Sequence, residues 1–212
     1  MTPRERIRDC RLYLVCDARP ETLLRAALRG GVDLIQLRDK SLDDEGLVEA
    51  ARAFRSAADA FGVPFILNDR PDLVAACLAD GIHVGQDDLS PVEARAIVGP
   101  DAIVGRSTHA PAEFDDAEAD PEVDYLAVGP VHETPTKLGR PAAGPGYVAY
   151  AAEHSSGKPW FAIGGIDAGN LPAVIELGAR RIVVVRAIAD AADPELAARA
   201  LREQLEAPVG SV

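Results

Sequence analysis

The chain has 212 residues, 48% of them hydrophobic and 26% charged, which is the composition of a globular protein with one well-buried core. Its formal net charge of -12 argues against a nucleic-acid backbone or an anionic membrane as the main partner, because both require a basic face. The three scattered cysteines do not form a disulfide framework or a zinc knuckle, and we find no secretory signal and no apolar run of about 18 residues. We therefore expect a cytoplasmic protein that binds neither nucleic acid nor membrane.

Short apolar runs rich in β-branched residues alternate with helical stretches along the whole chain. The runs predict eight β-strands, at Leu12–Val15, Asp33–Leu37, Pro64–Leu67, Gly81–Val84, Ala102–Gly105, Asp124–Val128, Pro159–Ile163 and Arg181–Val185. The stretches between them predict helices at Glu21–Arg29, Asp43–Phe61, Pro71–Leu78, Ser90–Val98, Pro111–Ala119, Gly146–His154, Asn170–Leu177 and Pro194–Leu205. We expect Asp43, Ser90 and Asp193 to cap three of these helices.

This alternation predicts the fold class. Strands separated by helices pair in parallel, and eight repeats favour an α/β fold of the (β/α)8 TIM-barrel type over an open doubly wound sheet. A dinucleotide-binding sheet would carry Gly-x-Gly-x-x-Gly after its first strand, and the sequence lacks this motif there. No linker divides the chain, so residues 1–212 form one predicted domain, with the first few residues and residues 207–212 as frayed ends.

Polar, glycine or ionic residues follow the predicted strands two to eight, at the end where TIM barrels carry their chemistry. The segments are Gln36–Lys40, Asn68–Arg70, Gly85–Asp88, Arg106–His109, Gly129–Lys137, Gly164–Ile166 and Arg186–Ile188. Any one of them could be an ordinary turn or helix cap. Their repetition at one end of seven strands indicates a functional site instead.

The charged residues among these segments predict what the site binds. Arg38, Lys40 and Lys137 are cations, and Asp69 and Asp88 are carboxylates one strand apart. Mg²⁺ typically takes one or two protein carboxylates together with phosphate oxygens, so this set predicts a magnesium-diphosphate site. The scarcity of histidine and cysteine near the aspartates argues against zinc.

Two further segments predict a second phosphate site. Gly164-Gly165 and the Arg186–Ile188 turn follow strands seven and eight, where barrels often bind phosphate through backbone N–H groups. The sequence thus predicts a metal-assisted anion site after strands two to four and a backbone site after strands seven and eight.

Taken together and in order, these segments resemble the thiamine phosphate synthase family. The matching segments are Gln36–Lys40, Leu67–Arg70, Gly81–Leu89, Gly105–His109, Gly129–Val131 with Thr134–Lys137, and Ile163–Ile166. The resemblance implies a transferase with two small phosphorylated substrates. It would join an aminopyrimidine methyl diphosphate to hydroxyethylthiazole phosphate, or its carboxylated form, and release diphosphate with the help of Mg²⁺.

The resemblance also implies roles for individual residues. The residues implied for the pyrimidine diphosphate are Gln36, Leu37, Arg38, Asp39, Lys40, Asn68, Ser107 and Lys137, with Arg38, Ser107 and Lys137 as the catalytic ones. Asp69 and Asp88 would bind magnesium. The residues implied for the thiazole phosphate are Thr134, Pro135, Thr136, Gly165, Val185 and Arg186. The chain departs from the family at Arg186, where many relatives have a small hydroxyl residue, and at His132, where an aromatic residue is common.

Other functions fit parts of this pattern. A thiazole tautomerase-like barrel would keep a phosphate site and a histidine near His109, but would not need the two aspartates or Lys137. A phosphosugar epimerase or isomerase would need a general acid/base pair facing the barrel centre. A ligand-sensing module would have no use for the complete ionic set. We expect His83 to be a packed histidine with hydrogen-bonded ring nitrogens. Barrels of this size often pair, so a homodimer is a further expectation.

Overall fold

A computed structural model describes residues 2–132 and 143–207. Eight parallel strands pair in chain order and close into a barrel, which confirms the predicted TIM barrel. The strands are β1 (Leu12–Cys16), β2 (Leu34–Leu37), β3 (Phe65–Asn68), β4 (Gly81–Val84), β5 (Ile103–Thr108), β6 (Tyr125–Val128), β7 (Trp160–Ile163) and β8 (Ile182–Val184). The largest difference from prediction is at β5, which continues three residues further and so includes Ser107.

Helices cover the outside of the barrel. Those of the described residues are α1 (Pro3–Arg6), α2 (Glu21–Arg29), α3 (Asp44–Phe61), α4 (Pro91–Val98), α5 (Pro111–Ala119), α6 (Pro145–His154), α7 (Leu171–Glu176), α8 (Arg186–Ala189) and α9 (Pro194–Glu206). The side chains of Asp43, Ser90 and Asp193 accept from backbone N–H groups at the starts of α3, α4 and α9, as the sequence predicts. None of the helices in the described residues is both long and apolar enough to span a bilayer.

The helix predicted at Pro71–Leu78 is wrong. The segment forms a short 3-10 helix at Pro71–Leu73 and then a series of turns, in which Ala79 N bonds to Val74 O and Leu78 N to Ala75 O. These bonds connect residues three or five apart, instead of the constant four of an α-helix. Leu78 ends the segment with a φ of 53°. Cys77 therefore lies in a turn, and its side chain is buried.

The prediction that the first residues are frayed is also wrong. Thr2 and Glu5 form a reciprocal capping box that begins α1. The chain then buries Ile7 and Cys10 beneath the barrel, where they close its lower end. Residues 208–212 of the predicted frayed tail lie outside the described residues.

Alternation along the strands separates two cores. One face of each strand packs against the helices in a large apolar cluster. The other face fills the barrel interior, where the rings of Tyr13, Tyr125 and Phe161 meet edge to face. These three rings form a layer across the barrel beneath the cavity, and Tyr13 reaches the cavity floor.

Gly105 makes room for this layer. It lies on β5 directly beside Tyr125 on β6, and a Cβ on Gly105 would lie 2.1 Å from Cζ of Tyr125. No side chain can occupy this position unless the tyrosine ring moves. The orientation of Tyr125 thus depends on the glycine opposite it.

We expect Gly105→Ala to lower the free energy of unfolding by about 1–3 kcal/mol, because the added methyl group overpacks the barrel interior. Chemical denaturation measures the change. Gly146→Ala is the matched control, since Gly146 sits in α6 and a Cβ added there would have nothing within 4 Å. A Gly105→Ala variant as stable as the control would contradict this packing.

Candidate active site

A cavity of about 930 Å³ opens at the carboxyl ends of the barrel strands. Its size is that of a small-molecule site. Every strand contributes to its wall or floor, through residues that include Cys16, Gln36, Asn68, His83, Ser107, Ala127, Ile163 and Val183. The residues predicted to form the two anion sites therefore meet in one space.

Two carboxylates and a lysine form one side of this cavity. Asp69 follows β3 and Asp88 follows β4, and their carboxyl groups lie close enough for each to shift the pKa of the other. Lys40 Nζ lies 3.0 Å from Asp69 Oδ2, and the backbone N–H of Gly85 donates to Asp88 Oδ2 at 2.8 Å. The lysine and the amide thus each stabilise one of two groups that repel each other when both are ionised.

The backbone of Asp69 is in an uncommon conformation. Its φ is 60°, in the left-handed region that few residues other than glycine adopt. Its N–H donates to the carbonyl of His83 at 2.9 Å, which extends the pairing of β3 with β4 past the last strand residue. Strain of this kind is concentrated at functional sites, where the surrounding structure maintains it.

The two aspartates differ in pKa. Burial raises the pKa of Asp69, and the contact with Asp88 raises it further, although Lys40 acts in the opposite direction. Burial also acts to raise the pKa of Asp88, but the Gly85 amide, the contact with Asp69 and Lys40 outweigh it and lower that pKa. A divalent cation between the two groups would stabilise both in the ionised form.

The donor set therefore fits Mg²⁺. Two carboxylates are an adequate protein contribution for this ion, which completes its octahedron with substrate phosphate oxygens and water. Within residues 2–132 and 143–207, no group of three or more His, Cys, Asp or Glu side chains is arranged to hold a metal. The site is thus of the kind that a metal and a phosphate ligand would share.

Arg38 projects into the same cavity from the end of β2. Among the described residues it has no ion pair and no side-chain hydrogen bond, whereas Arg19, another arginine of the cavity wall, pairs with Asp17 and Asp190. On a protein of net charge -12, an arginine facing a cavity without a carboxylate partner is suited to bind an anionic ligand.

Five buried residues at the base of the cavity are joined by side-chain hydrogen bonds. We call them the polar network: Gln36, Tyr13, Tyr125, His83 and Ser107. Gln36 Nε2 donates to the Tyr13 hydroxyl at 2.5 Å, and the two tyrosine hydroxyls are 2.9 Å apart. His83 Nδ1 lies 2.9 Å from the Tyr125 hydroxyl, and His83 Nε2 lies 2.9 Å from Ser107 Oγ. This confirms His83 as a packed histidine with both ring nitrogens hydrogen-bonded.

Burial raises the pKa of Tyr13 and of Tyr125, so both phenols keep their protons at ordinary pH. The sequence did not identify either tyrosine as part of the site. Alternation predicts that both face the barrel interior, but nothing local shows that they meet across 112 residues of sequence.

Glycines form the opposite side of the cavity. Gly164 and Gly165 have φ values of 111° and 63°, and a Cβ on Gly164 would lie 2.5 Å from that of Pro130. Val185 and Arg186 line the cavity next to them, and Arg186 begins the short helix α8. The side chain of Arg186 is exposed.

The structure brings most of the predicted site residues together. Those of the described residues that line the cavity are Gln36, Arg38, Lys40, Asn68, Asp69, Asp88, Ser107, Gly165, Val185 and Arg186. The side chains of Leu37 and Asp39 do not line it, because alternate residues face outwards: Leu37 packs under the helices and Asp39 accepts from Ser41 and Ala18. Thr134, Pro135, Thr136 and Lys137 lie outside the described residues.

The cavity also contains residues to which the sequence prediction assigned no binding or catalytic role. Asp17 and Arg19 follow β1, so polar residues end the first strand as well. Gln86 lies after β4 and donates to the carbonyl of Ser107 at 2.6 Å. His109 lines the cavity as well, with Nδ1 2.6 Å from the carbonyl of Gly129. The same pattern of a polar residue after an apolar run was present at Asp17 and could have identified it.

Comparison with known proteins identifies the family. A model of the thiamine monophosphate synthase family matches residues 12–188. The chain belongs to this family. It is 56% identical over 202 residues to a thiamine-phosphate synthase of Thermus thermophilus, covering 92% of this chain and 97% of that protein. It is 47% identical over 209 residues to the thiamine-phosphate synthase of Streptomyces avermitilis, covering 96% of this chain and 97% of the relative.

A solved structure of the family has the same fold. Thiamine phosphate pyrophosphorylase from Pyrococcus furiosus superposes with a TM-score of 0.85 at 30% identity, covering 94% of this chain and 97% of that one. The match to the thiamine monophosphate synthase family extends from the first residue of β1 into α8, so it includes the whole barrel and the cavity.

We expect Arg38→Gln to weaken binding of inorganic diphosphate by about tenfold or more, because hydrogen bonds to charged groups contribute roughly 1.5–3 kcal/mol. Isothermal titration in the presence of Mg²⁺ measures the affinity. Arg52→Gln is the control, since Arg52 lies on α3 and pairs with Glu49 outside the cavity. Equal affinities in the two variants would show that Arg38 does not face the anion.

Proposed function

We propose that the cavity catalyses the reaction of the family, thiamine phosphate synthesis, by magnesium-assisted ionisation of a pyrimidine methyl diphosphate. The observation that carries the proposal is the contact between Asp69 and Asp88, with Arg38 and Lys40 beside it. This grouping suits a diphosphate and a divalent cation. The glycine wall at Gly164-Gly165 leaves space in the same cavity for a second phosphorylated substrate.

In this proposal Asp69 and Asp88 hold Mg²⁺. When bound, the ion compensates the negative charge that develops on the diphosphate as it leaves. Arg38 and Lys40 donate to the remaining diphosphate oxygens, and the family resemblance adds Lys137 to this set. Donors fixed in place before the reaction stabilise a leaving group without reorganising, which makes such contacts large contributors to catalysis.

The reaction itself needs no protein nucleophile. The bond between the methylene carbon and the diphosphate oxygen breaks, and the ring amino group donates electrons to the resulting pyrimidine methyl cation. The thiazole nitrogen then attacks that carbon. The protein orients the two partners and shields the cation, for which Ala127, Ile163 and Val183 provide apolar parts of the cavity surface.

Binding of the thiazole phosphate is assigned to the other side of the cavity. Gly165, Val185 and Arg186 line it there, and the resemblance adds Thr134, Pro135 and Thr136. Glycine has no side chain to cover its backbone, so a phosphate can approach the exposed backbone of Gly165. Arg186, where relatives often have a small hydroxyl residue, can present its backbone amide to the phosphate in the same way.

The family comparisons favour the synthase over the thiazole tautomerase-like alternative, because the matched relatives are named thiamine-phosphate synthase. The presence of Lys40, Asp69 and Asp88 in one cavity supports the same choice. A phosphosugar epimerase would use an acid/base pair at the barrel centre, where this structure has Tyr13 and Tyr125, with their raised pKa values. The homodimer and the cytoplasmic location stay predictions.

We expect Asp88→Ala to abolish Mg²⁺-dependent diphosphate release from the two substrates while the protein stays folded. The substitution removes a ligand, and it also removes the acceptor of the Gly85 amide. The readouts are diphosphate release and the circular dichroism spectrum. Asp72→Asn is the control, because Asp72 pairs with Arg70 on the surface near the end of β3 and does not line the cavity. Full activity in Asp88→Ala would disprove the metal assignment.

We expect Lys137→Ala to lower kcat by about a hundredfold or more, the usual effect of losing one preorganised donor to a developing anion. Lys137→Arg, which retains the charge, should lose less. Steady-state kinetics with both substrates measures the two variants. Unchanged turnover in Lys137→Ala would show that Lys137 does not reach the diphosphate.

A further inference from the structure

The polar network on the cavity floor connects two residues of the proposed pyrimidine site, Gln36 on β2 and Ser107 on β5. We propose that this network fixes the orientation of the Gln36 amide and thereby makes the site select an amino group over an oxo group on the pyrimidine ring. Tyr13, Tyr125 and His83 are then positioning residues, which act on the substrate through Gln36 and Ser107. This inference rests on the proposed function.

The direction of the hydrogen bonds follows from counting protons. Gln36 donates through Nε2 to the oxygen of Tyr13, so the proton of Tyr13 is available for its other partner, Tyr125. Tyr125 in turn donates its proton to Nδ1 of His83. A neutral imidazole that accepts at one nitrogen donates from the other, so His83 Nε2–H donates to Ser107 Oγ.

In this arrangement every proton in the hydrogen bonds that join Gln36 to Ser107 has an acceptor. Reversing only the bond between the two tyrosines would leave the proton of the buried Tyr13 hydroxyl without an acceptor among residues 2–132 and 143–207, which is unfavourable. The hydrogen bonds among the five residues therefore reverse together or not at all. The donor or acceptor role of Ser107 at one end then determines the orientation of the Gln36 amide at the other.

At the Gln36 end, the network determines what the substrate meets. With Nε2 turned towards Tyr13, Oε1 has no hydrogen bond from any of residues 2–132 and 143–207, and Gln36 lines the cavity. Oε1 can accept from a ring amino group, and the second N–H of Nε2 can donate to a neighbouring ring nitrogen. Glutamine recognises the similar donor and acceptor edge of adenine in this way. An oxo group at the same ring position would place an acceptor against Oε1.

At the Ser107 end, the network leaves the hydroxyl proton available. Ser107 Oγ accepts from His83, so its own O–H can donate into the cavity. An anion bound beside Ser107 accepts a hydrogen bond from this hydroxyl and so favours the direction described above. Binding of the diphosphate would thus reinforce the orientation of Gln36 on the other side of the floor.

Inhibition by two unreactive monophosphates tests the proposal, one a 4-aminopyrimidine methyl phosphate and the other its 4-oxo counterpart. Neither has a diphosphate leaving group, so their inhibition constants against turnover report binding alone. The quantity of interest is the ratio of the oxo to the amino inhibition constant. The wild type should prefer the amino compound by roughly tenfold or more, which is about 1.4 kcal/mol or more.

Two variants break the network at different points. In Tyr125→Phe, Tyr13 loses its acceptor and can recover one by donating to Gln36 Oε1, which turns the amide and should abolish or reverse the preference. In Tyr13→Phe, the amide loses its partner and can face either way, so the preference should fall to a few-fold at most. Either variant is sufficient for the test if the other does not fold.

Tyr147→Phe is the matched control, because Tyr147 is also buried and donates to Thr108 Oγ1 at 2.6 Å on the outer side of the barrel. It should keep the wild-type ratio. A purely structural role for the network would weaken both inhibitors by the same factor, so an unchanged ratio in Tyr13→Phe and Tyr125→Phe overturns the inference. Absence of turnover in the wild type would instead overturn the proposed function.

Discussion

Asp69 and Asp88 repel each other when both are ionised, yet the ends of β3 and β4 hold their carboxyl groups in contact. The rest of the site is arranged around this pair. Lys40 and the Gly85 amide each bind one member, and the left-handed backbone of Asp69 turns the chain at this point. Two carboxylates this close are costly to ionise together, and the divalent ion that we propose at this place would offset their repulsion.

Closure of the barrel is what brings the other parts of the site to this pair. Because all eight strands are parallel, their carboxyl ends meet at one rim, and the Gly164-Gly165 wall comes to lie opposite the aspartates. Beneath them, the polar network is buried and its hydrogen bonds are made between side chains of different strands. A network of this kind resists rearrangement, so the floor is rigid where the substrates must be aligned.

The sequence predicted what depends on local signals. A polar residue after an apolar run places Arg38, Asn68, Asp69 and Asp88 at the rim, since closure of the barrel brings all strand ends there. Capping residues such as Asp43 and Ser90 mark helix starts, because their effect extends over only three residues.

What the sequence did not predict depends on distant contacts. The 71–78 segment has the composition of a helix, but it folds as a 3-10 helix and turns, and Arg55 of α3 donates to the carbonyl of Leu78 at its end. Tyr13 and Tyr125 resemble ordinary core residues until the fold brings their hydroxyls together. The exception is the Thr2–Glu5 capping box, a local signal that could have predicted α1.

The most direct test of the central claim is a crystal structure of this protein grown with Mg²⁺ and inorganic diphosphate. Our interpretation predicts one metal ion bonded to an oxygen of Asp69 and an oxygen of Asp88 at about 2.0–2.1 Å, with the diphosphate bridging from the metal to Arg38. A diphosphate bound away from both aspartates, or a metal that contacts neither of them, would contradict it.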